Sequence, residues 1–126
     1  MSVAEVRRVA VMAPMRNEAR HIAQFIQDVA AQDFGGELEL VIADGQSDDD
    51  CVAIARAEAE RVGVPLRIVD NPGRIAPSGL NACIAVIDAD LLVRMDCHSS
   101  YPADYVRLCA AAAQETGAWN VGGVVI

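Results

Sequence analysis

Short apolar runs, each released by a polar turn into a stretch with helical spacing, constrain this chain more than any other feature. The runs lie at residues 9–12, 38–42, 66–69 and 91–93, the second and third interrupted by Glu39 and Arg67. Each is too short for a buried helix and reads as a strand, and the uninterrupted first and last read as strands buried on both faces, as in a parallel sheet covered by helices. Pro14 is expected to end the first strand. Between the strands, Ile22, Phe25, Ile26 and Val29 mark a helix from about Ala19 to Gln32. Val52, Ala55, Ala59 and Val62 mark a second, which Ser47 or Asp48 could cap and Gly63 stops. A third is expected from about Ser78 to Ile87, and a fourth from Ala103 to Thr116 after Tyr101-Pro102. A last strand is expected over residues 121–126, with Gly122-Gly123 in its middle. This alternation predicts an α/β fold: a Rossmann-like, mostly parallel sheet with flanking helices. A strand order of 3-2-1-4 is expected, with a crevice between the first strand and the Leu91 strand where the order reverses.

The chain has 126 residues, one domain at most and short for a complete α/β enzyme. Its formal net charge is -8, which argues against nucleic acid or an anionic membrane as a partner. The same charge means that a phosphate-bearing ligand would need a cation or well-placed arginines. Cys51, Cys83, Cys97 and Cys109 show no CxxC spacing and read as reduced thiols of a cytoplasmic protein. No apolar run approaches the roughly 20 residues of a membrane span, so any membrane association would come from segments absent from this chain.

In a parallel sheet every strand-to-helix exit lies on one edge. The exits here carry Arg16-Asn17-Glu18, Asp44 with Asp48, Asp70-Asn71 with Arg74, and Asp96 with His98. If the fourth strand runs on through Asp96, side chains two apart project the same way, and a carboxylate and an imidazole converge at its tip. That pair suits Mn²⁺ better than Ca²⁺, with the other positions left to water or a diphosphate. The alternatives are plain: a polar strand cap for Asp96 and His98, a turn former for Asp44, a solvated cation for Arg74. No glycine-rich dinucleotide fingerprint, P-loop or G-x-S-x-G is present.

Pro14-Met15-Arg16-Asn17-Glu18 resembles the P-x-x-N-E turn of the family 2 inverting glycosyltransferases with the GT-A fold. Ala43-Asp44-Gly45-Gln46-Ser47-Asp48 is similar to that family's D-D-G-S-x-D segment with the first Asp lost, and Asp96-Cys97-His98 to its D-x-D metal motif with His in the last place. The stretch from Arg94 to Pro102 looks most like the succinoglycan-type exopolysaccharide enzymes, as do Asn71-Pro72-Gly73-Arg74, Gly79-Leu80-Asn81 and Asn120-Val121-Gly122-Gly123.

The resemblance implies transfer of a sugar from a nucleotide-diphospho-sugar, expected to be a UDP-sugar, to a saccharide or lipid-linked acceptor with inversion. It assigns nucleotide contacts to Pro14, Arg16, Asn17, Glu18, Asp44, Arg74, Asn81 and Asp96, and a Mn²⁺ or Mg²⁺ ion to Asp96 and His98. Asp44 would accept the N3–H of the base. The imidazole also implies that metal-dependent nucleotide binding weakens as pH falls through ~6.5. No carboxylate follows Glu115, so the general base is expected beyond Ile126, in an acceptor segment this chain lacks. The expectation is therefore the N-terminal, donor-binding portion of a glycosyltransferase, with self-association through its last strand. A nucleotide-binding fragment without turnover and a plain α/β interaction domain are the alternatives.

Overall fold

The computed structural model describes residues 6–116. Four parallel strands, β1 (Arg8–Met15), β2 (Glu37–Asp44), β3 (Leu66–Asp70) and β4 (Leu91–Arg94), form one sheet in the order β3-β2-β1-β4. Four helices connect or follow them: α1 (Ile22–Ala30), α2 (Cys51–Val62), α3 (Ala76–Ile84) and α4 (Tyr105–Thr116). The α/β class follows from the alternation, and the strand order is the one expected. The strand expected over residues 121–126, and any association through it, lie outside the described residues.

The two faces of the sheet are covered unequally. On one face Val9, Val11, Leu40, Ile42, Leu91 and Val93 pack under α1, α2 and α4, with Phe25, Ile26 and Val106 filling the layer. On the other, Ala10, Met12, Val41 and Ala43 meet α3 through Cys83 and the partly buried Leu80. Ala10 and Ala43 leave room for α3, and Gly79 makes a close approach. A Cβ there would stand 3.2 Å from Pro14 Cβ and 3.0 Å from Asn71 Nδ2.

Several boundaries differ from those expected. β1 runs through Pro14 to Met15 because the proline costs it no ladder bond. The carbonyls of Arg8 and Met12 accept from Asp90 and Met95, so even-numbered residues of β1 face β4. The β1–β4 pairing ends at Met12 and Arg94, leaving Pro14 beyond it on that side, where a missing N–H is tolerated. α1 begins at Ile22, after a turn in which the Glu18 carbonyl accepts from His21 and Ile22, both at 2.9 Å. α3 starts two residues early because Pro77 fits a first helical turn, and it stops at Ile84; α4 starts at Tyr105. Neither Ser47 nor Asp48 caps α2; Asp49 Oδ1 accepts the Cys51 N–H at 3.0 Å.

Candidate functional site

The exits of β1, β3 and β4 close around a cleft of about 350 Å³ at the C-terminal edge, where the strand order reverses between β1 and β4. Pro14, Arg16 and Glu18 line it from β1, Asn71, Arg74 and Ile75 from β3, and Arg94, Asp96 and His98 from β4. A larger hollow of about 1100 Å³ borders the strand starts at the opposite edge, around Arg8, Glu37 and Asp90, away from these exits. Three of the ten basic residues of an acidic chain thus meet in the smaller cleft. Glu18 and Asp96 line it too, so three guanidinium groups stand against two carboxylates, a positive excess in an acidic chain that favours an anionic ligand.

Asp96 and His98 share the cleft, but not through strand alternation. β4 ends at Arg94, and both residues sit in the turn that follows. That turn is fixed by Tyr101, whose hydroxyl accepts the Asp96 N–H at 2.7 Å. Arg94 Nε lies 3.5 Å from Asp96 Oδ1. Between the two, Cys97 is buried and points at the Pro14 carbonyl, 3.7 Å away. Burial, reinforced by Glu18 and Asp96, pushes its thiol far above the usual range, and Cys97 is not among the residues lining the cleft.

A divalent ion fits this donor set only with help from its ligand. Among the described residues no group of three or more His, Cys, Asp or Glu side chains is close enough to cage a metal. A carboxylate and an imidazole lining one cleft could supply two positions, leaving the rest to water and to oxygens of a bound ligand.

The other exits are tied together by polar side chains. Asn17 Oδ1 accepts the Asp48 N–H at 2.7 Å, and the Asn17 N–H donates to Ser47 Oγ at 2.9 Å, joining the β1 exit to the β2 exit. Ser47 also donates to Asp44 Oδ1, from its hydroxyl at 2.7 Å and its amide at 3.2 Å. Asp44 is half-buried, and neither it nor Asn17 is among the residues lining the cleft. Asn81 lies exposed on α3 and does not reach the cleft lining.

Asn71 is the scaffold residue to which the spacing alone assigned no role. It is 2% exposed, and its side chain donates to the Ile75 carbonyl at 3.0 Å and accepts from Ser78 Oγ at 2.7 Å. Its carbonyl accepts the Arg74 N–H, so the whole bend presenting Arg74 is built on it. An Asn ahead of Pro-Gly was the available signal.

A parallel 3-2-1-4 sheet with a polar cleft at its switch point is the GT-A glycosyltransferase arrangement. The sequence matches Glycosyl transferase family 2 over residues 10–126, and the chain belongs to that family. It is 36% identical over 113 residues to the succinoglycan biosynthesis protein ExoA of Rhizobium meliloti (strain 1021), covering 88% of this chain and 34% of that protein. Among solved structures, it superposes on the mannosyltransferase PcManGT from Pyrobaculum calidifontis, in complex with GDP-Man and Mn²⁺, with a TM-score of 0.73 and 24% identity, over 94% of this chain and 33% of that one. It superposes on S. aureus TarS 1-349 in complex with UDP with a TM-score of 0.72 and 19% identity, over 86% and 32%. The chain spans about one third of the length of these relatives.

Proposed function

We propose that residues 1–126 are the N-terminal, donor-binding portion of a family 2 glycosyltransferase whose acceptor site and general base are supplied by residues outside this stretch. The observation that carries the reading is the convergence of Arg16, Arg74 and Arg94 with Asp96 and His98 on one cleft, in a protein of net charge -8. Guanidinium groups match phosphate oxygens in geometry as well as charge, and here they stand where open parallel sheets bind ligands.

In this reading Arg16, Arg74 and Asp96 contact the nucleotide, with Pro14, Asn17 and Glu18 shaping its pocket. Asp44 accepts the base N3–H, and Asp96 with His98 would hold Mn²⁺ or Mg²⁺; Asn81, away from the cleft lining, has no part in it. The bound ion would take up charge growing on the leaving diphosphate as an acceptor hydroxyl displaces it with inversion. The complexes of PcManGT with GDP-Man and of TarS with UDP support a nucleotide-sugar donor, and the likeness to a succinoglycan biosynthesis protein supports a place in polysaccharide synthesis, with a saccharide or lipid-linked acceptor proposed. The proposed location is the cytoplasm, where nucleotide sugars are available. No helix among the described residues is long and apolar enough to cross a membrane. Self-association through residues 121–126 belongs to the same proposal and is read by light scattering.

Calorimetric titration of the chain with UDP and with GDP, each with and without Mn²⁺, tests the reading. Saturable, Mn²⁺-dependent binding of one diphosphate is expected. Flat heats for both nucleotides in both conditions overturn it.

A further inference from the structure

Glu18 stands between two imidazoles. Its Oε1 lies 3.1 Å from His21 Nδ1 and its Oε2 lies 3.1 Å from His98 Nδ1. His21 and His98 are the only histidines in the sequence, and both turn the same ring nitrogen to one carboxylate. The Glu18 side chain is 18% exposed, whereas the imidazoles are 51% and 61% exposed. The covered member of the trio is therefore the acid, and the rings reach outward from it. Its backbone is fixed too, because the Glu18 carbonyl accepts from His21 and Ile22 at the start of α1.

An ionised carboxylate only accepts hydrogen bonds, so the Nδ1 facing it carries the proton. In the neutral ring this leaves Nε2 of His98 as a bare lone pair on the side away from Glu18, and His98 lines the cleft. We propose that Glu18 is a positioning residue for the metal site: it fixes His98 in the Nδ1-protonated form and so presents Nε2 to the divalent ion shared with Asp96. This rests on the nucleotide-diphosphate reading given above.

Two physical arguments support the assignment. A carboxylate accepting the second ring N–H orients a ligating imidazole and raises its basicity. A neutral imidazole also brings no charge to the ion, and Glu18 supplies a negative charge one ring behind it. Each Glu18 oxygen faces one imidazole nitrogen, and the one on the cleft side faces His98.

The test combines nitrogen NMR of the histidine rings in the full chain with the Mn²⁺ affinity, read by electron paramagnetic resonance in the presence of UDP. The wild-type protein is expected to show His98 protonated at Nδ1, a reading that needs neither metal nor substitution. Glu18→Gln is expected to weaken Mn²⁺ binding about ten- to a hundred-fold. In a His98→Ala background the same change is expected to add less than about twofold, because the ring through which it acts is gone. In a His98→Asp background, where a carboxylate meets the ion directly, Glu18→Gln is expected not to weaken binding. An Nε2-protonated His98 in the wild type, a Glu18→Gln protein that binds Mn²⁺ as tightly as wild type, or losses that add in the double variant overturn the proposal. A wild-type chain that binds no Mn²⁺ with UDP overturns the parent reading and this one with it. Wild-type binding that survives Glu18→Gln overturns this one alone.

Discussion

Arg74 Nε donates to Gln46 Oε1 at 2.9 Å, and both residues hold the left-handed backbone, with φ of 65° and 60°. The bond joins the β3 exit to the β2 exit, and Gly45 lets the two approach: a Cβ there would stand 3.2 Å from the Arg74 carbonyl oxygen. A non-glycine residue in this conformation costs about 1–2 kcal/mol, and two of them clasping at a cleft wall fit a side chain held ready for a ligand. Replacing Arg74 with Ala is expected to weaken nucleoside diphosphate binding about tenfold, the loss of one charge-assisted contact. Gln46→Gly is expected to leave the melting temperature unchanged or slightly raised, because glycine relieves the backbone, yet to weaken binding several-fold by freeing Arg74. A Gln46→Gly protein that binds as tightly as wild type would show that the clasp does not position the arginine.

Asp44 makes a separable prediction about the base. Both of its bonds from Ser47 use Oδ1, so the other oxygen is the one proposed to meet the N3–H of a uracil. Asp44→Asn keeps an oxygen for Ser47 and turns an N–H donor toward the base, setting donor against donor. UDP affinity is expected to fall roughly ten- to a hundred-fold with little change in stability, since a lost bond to a charged group costs about 1.5–3 kcal/mol. Calorimetry reads the first quantity and thermal melting the second. An unchanged UDP affinity removes Asp44 from the pocket.

These two positions also show what the sequence can carry. The placement of the four described strands and the helices follows from apolar runs and their spacing, because uninterrupted runs such as 9–12 and 91–93 leave few other patterns; the strand order was expected from topology, not from the runs. The four polar exits were legible for the same reason: parallel topology sends them all to one edge. The backbone of Gln46 and Arg74 was not legible, since neither is a residue type that signals a positive φ; Asn17, at φ 53°, is the type that does. Nor was the bond between Glu18 and His98, which are 80 positions apart and meet only once β1 and β4 lie side by side. The convergence of Asp96 and His98 was anticipated with the wrong cause. β4 stops at Arg94, and Tyr101 sets the turn that brings both residues to the cleft.

Asn71 gives a stability prediction with a functional echo. Its side chain is buried and bonded at both ends, to Ile75 and to Ser78, so truncation removes two bonds and leaves a small polar void. Asn71→Ala is expected to cost roughly 2–3 kcal/mol in urea unfolding. It is also expected to weaken nucleotide binding in the protein that still folds, because the bend holding Arg74 is no longer over-determined. A cost below about 0.5 kcal/mol, the range of an ordinary surface change, would contradict the scaffold role.

Acid stability follows from three carboxylates held below their usual range. Glu58, on α2, is brought to about 2 by Arg61 and by Gln27 of α1, whose Nε2 donates to it at 2.8 Å. Asp90 is lowered by the N–H groups of Arg7 and Arg8, each 2.9 Å from its Oδ2. Asp49 is lowered by Cys51 and, less, by the Ala19 N–H. Each group releases its proton more readily folded than unfolded, so on acidification the unfolded chain takes up protons first. Their contribution is full above the unfolded carboxylate range of about 4 and drains as pH falls through the folded values, for Glu58 toward about 2. Protonation of the ordinary surface carboxylates works against this, because it relieves self-repulsion in a chain of net charge -8. The difference between proteins isolates the effect. Melting temperatures of wild type and Glu58→Gln are expected to be separated at neutral pH, with the variant lower, and to converge as pH falls below about 4. A gap that widens on acidification would reverse the sign and rule out the Arg61 and Gln27 contacts as its source.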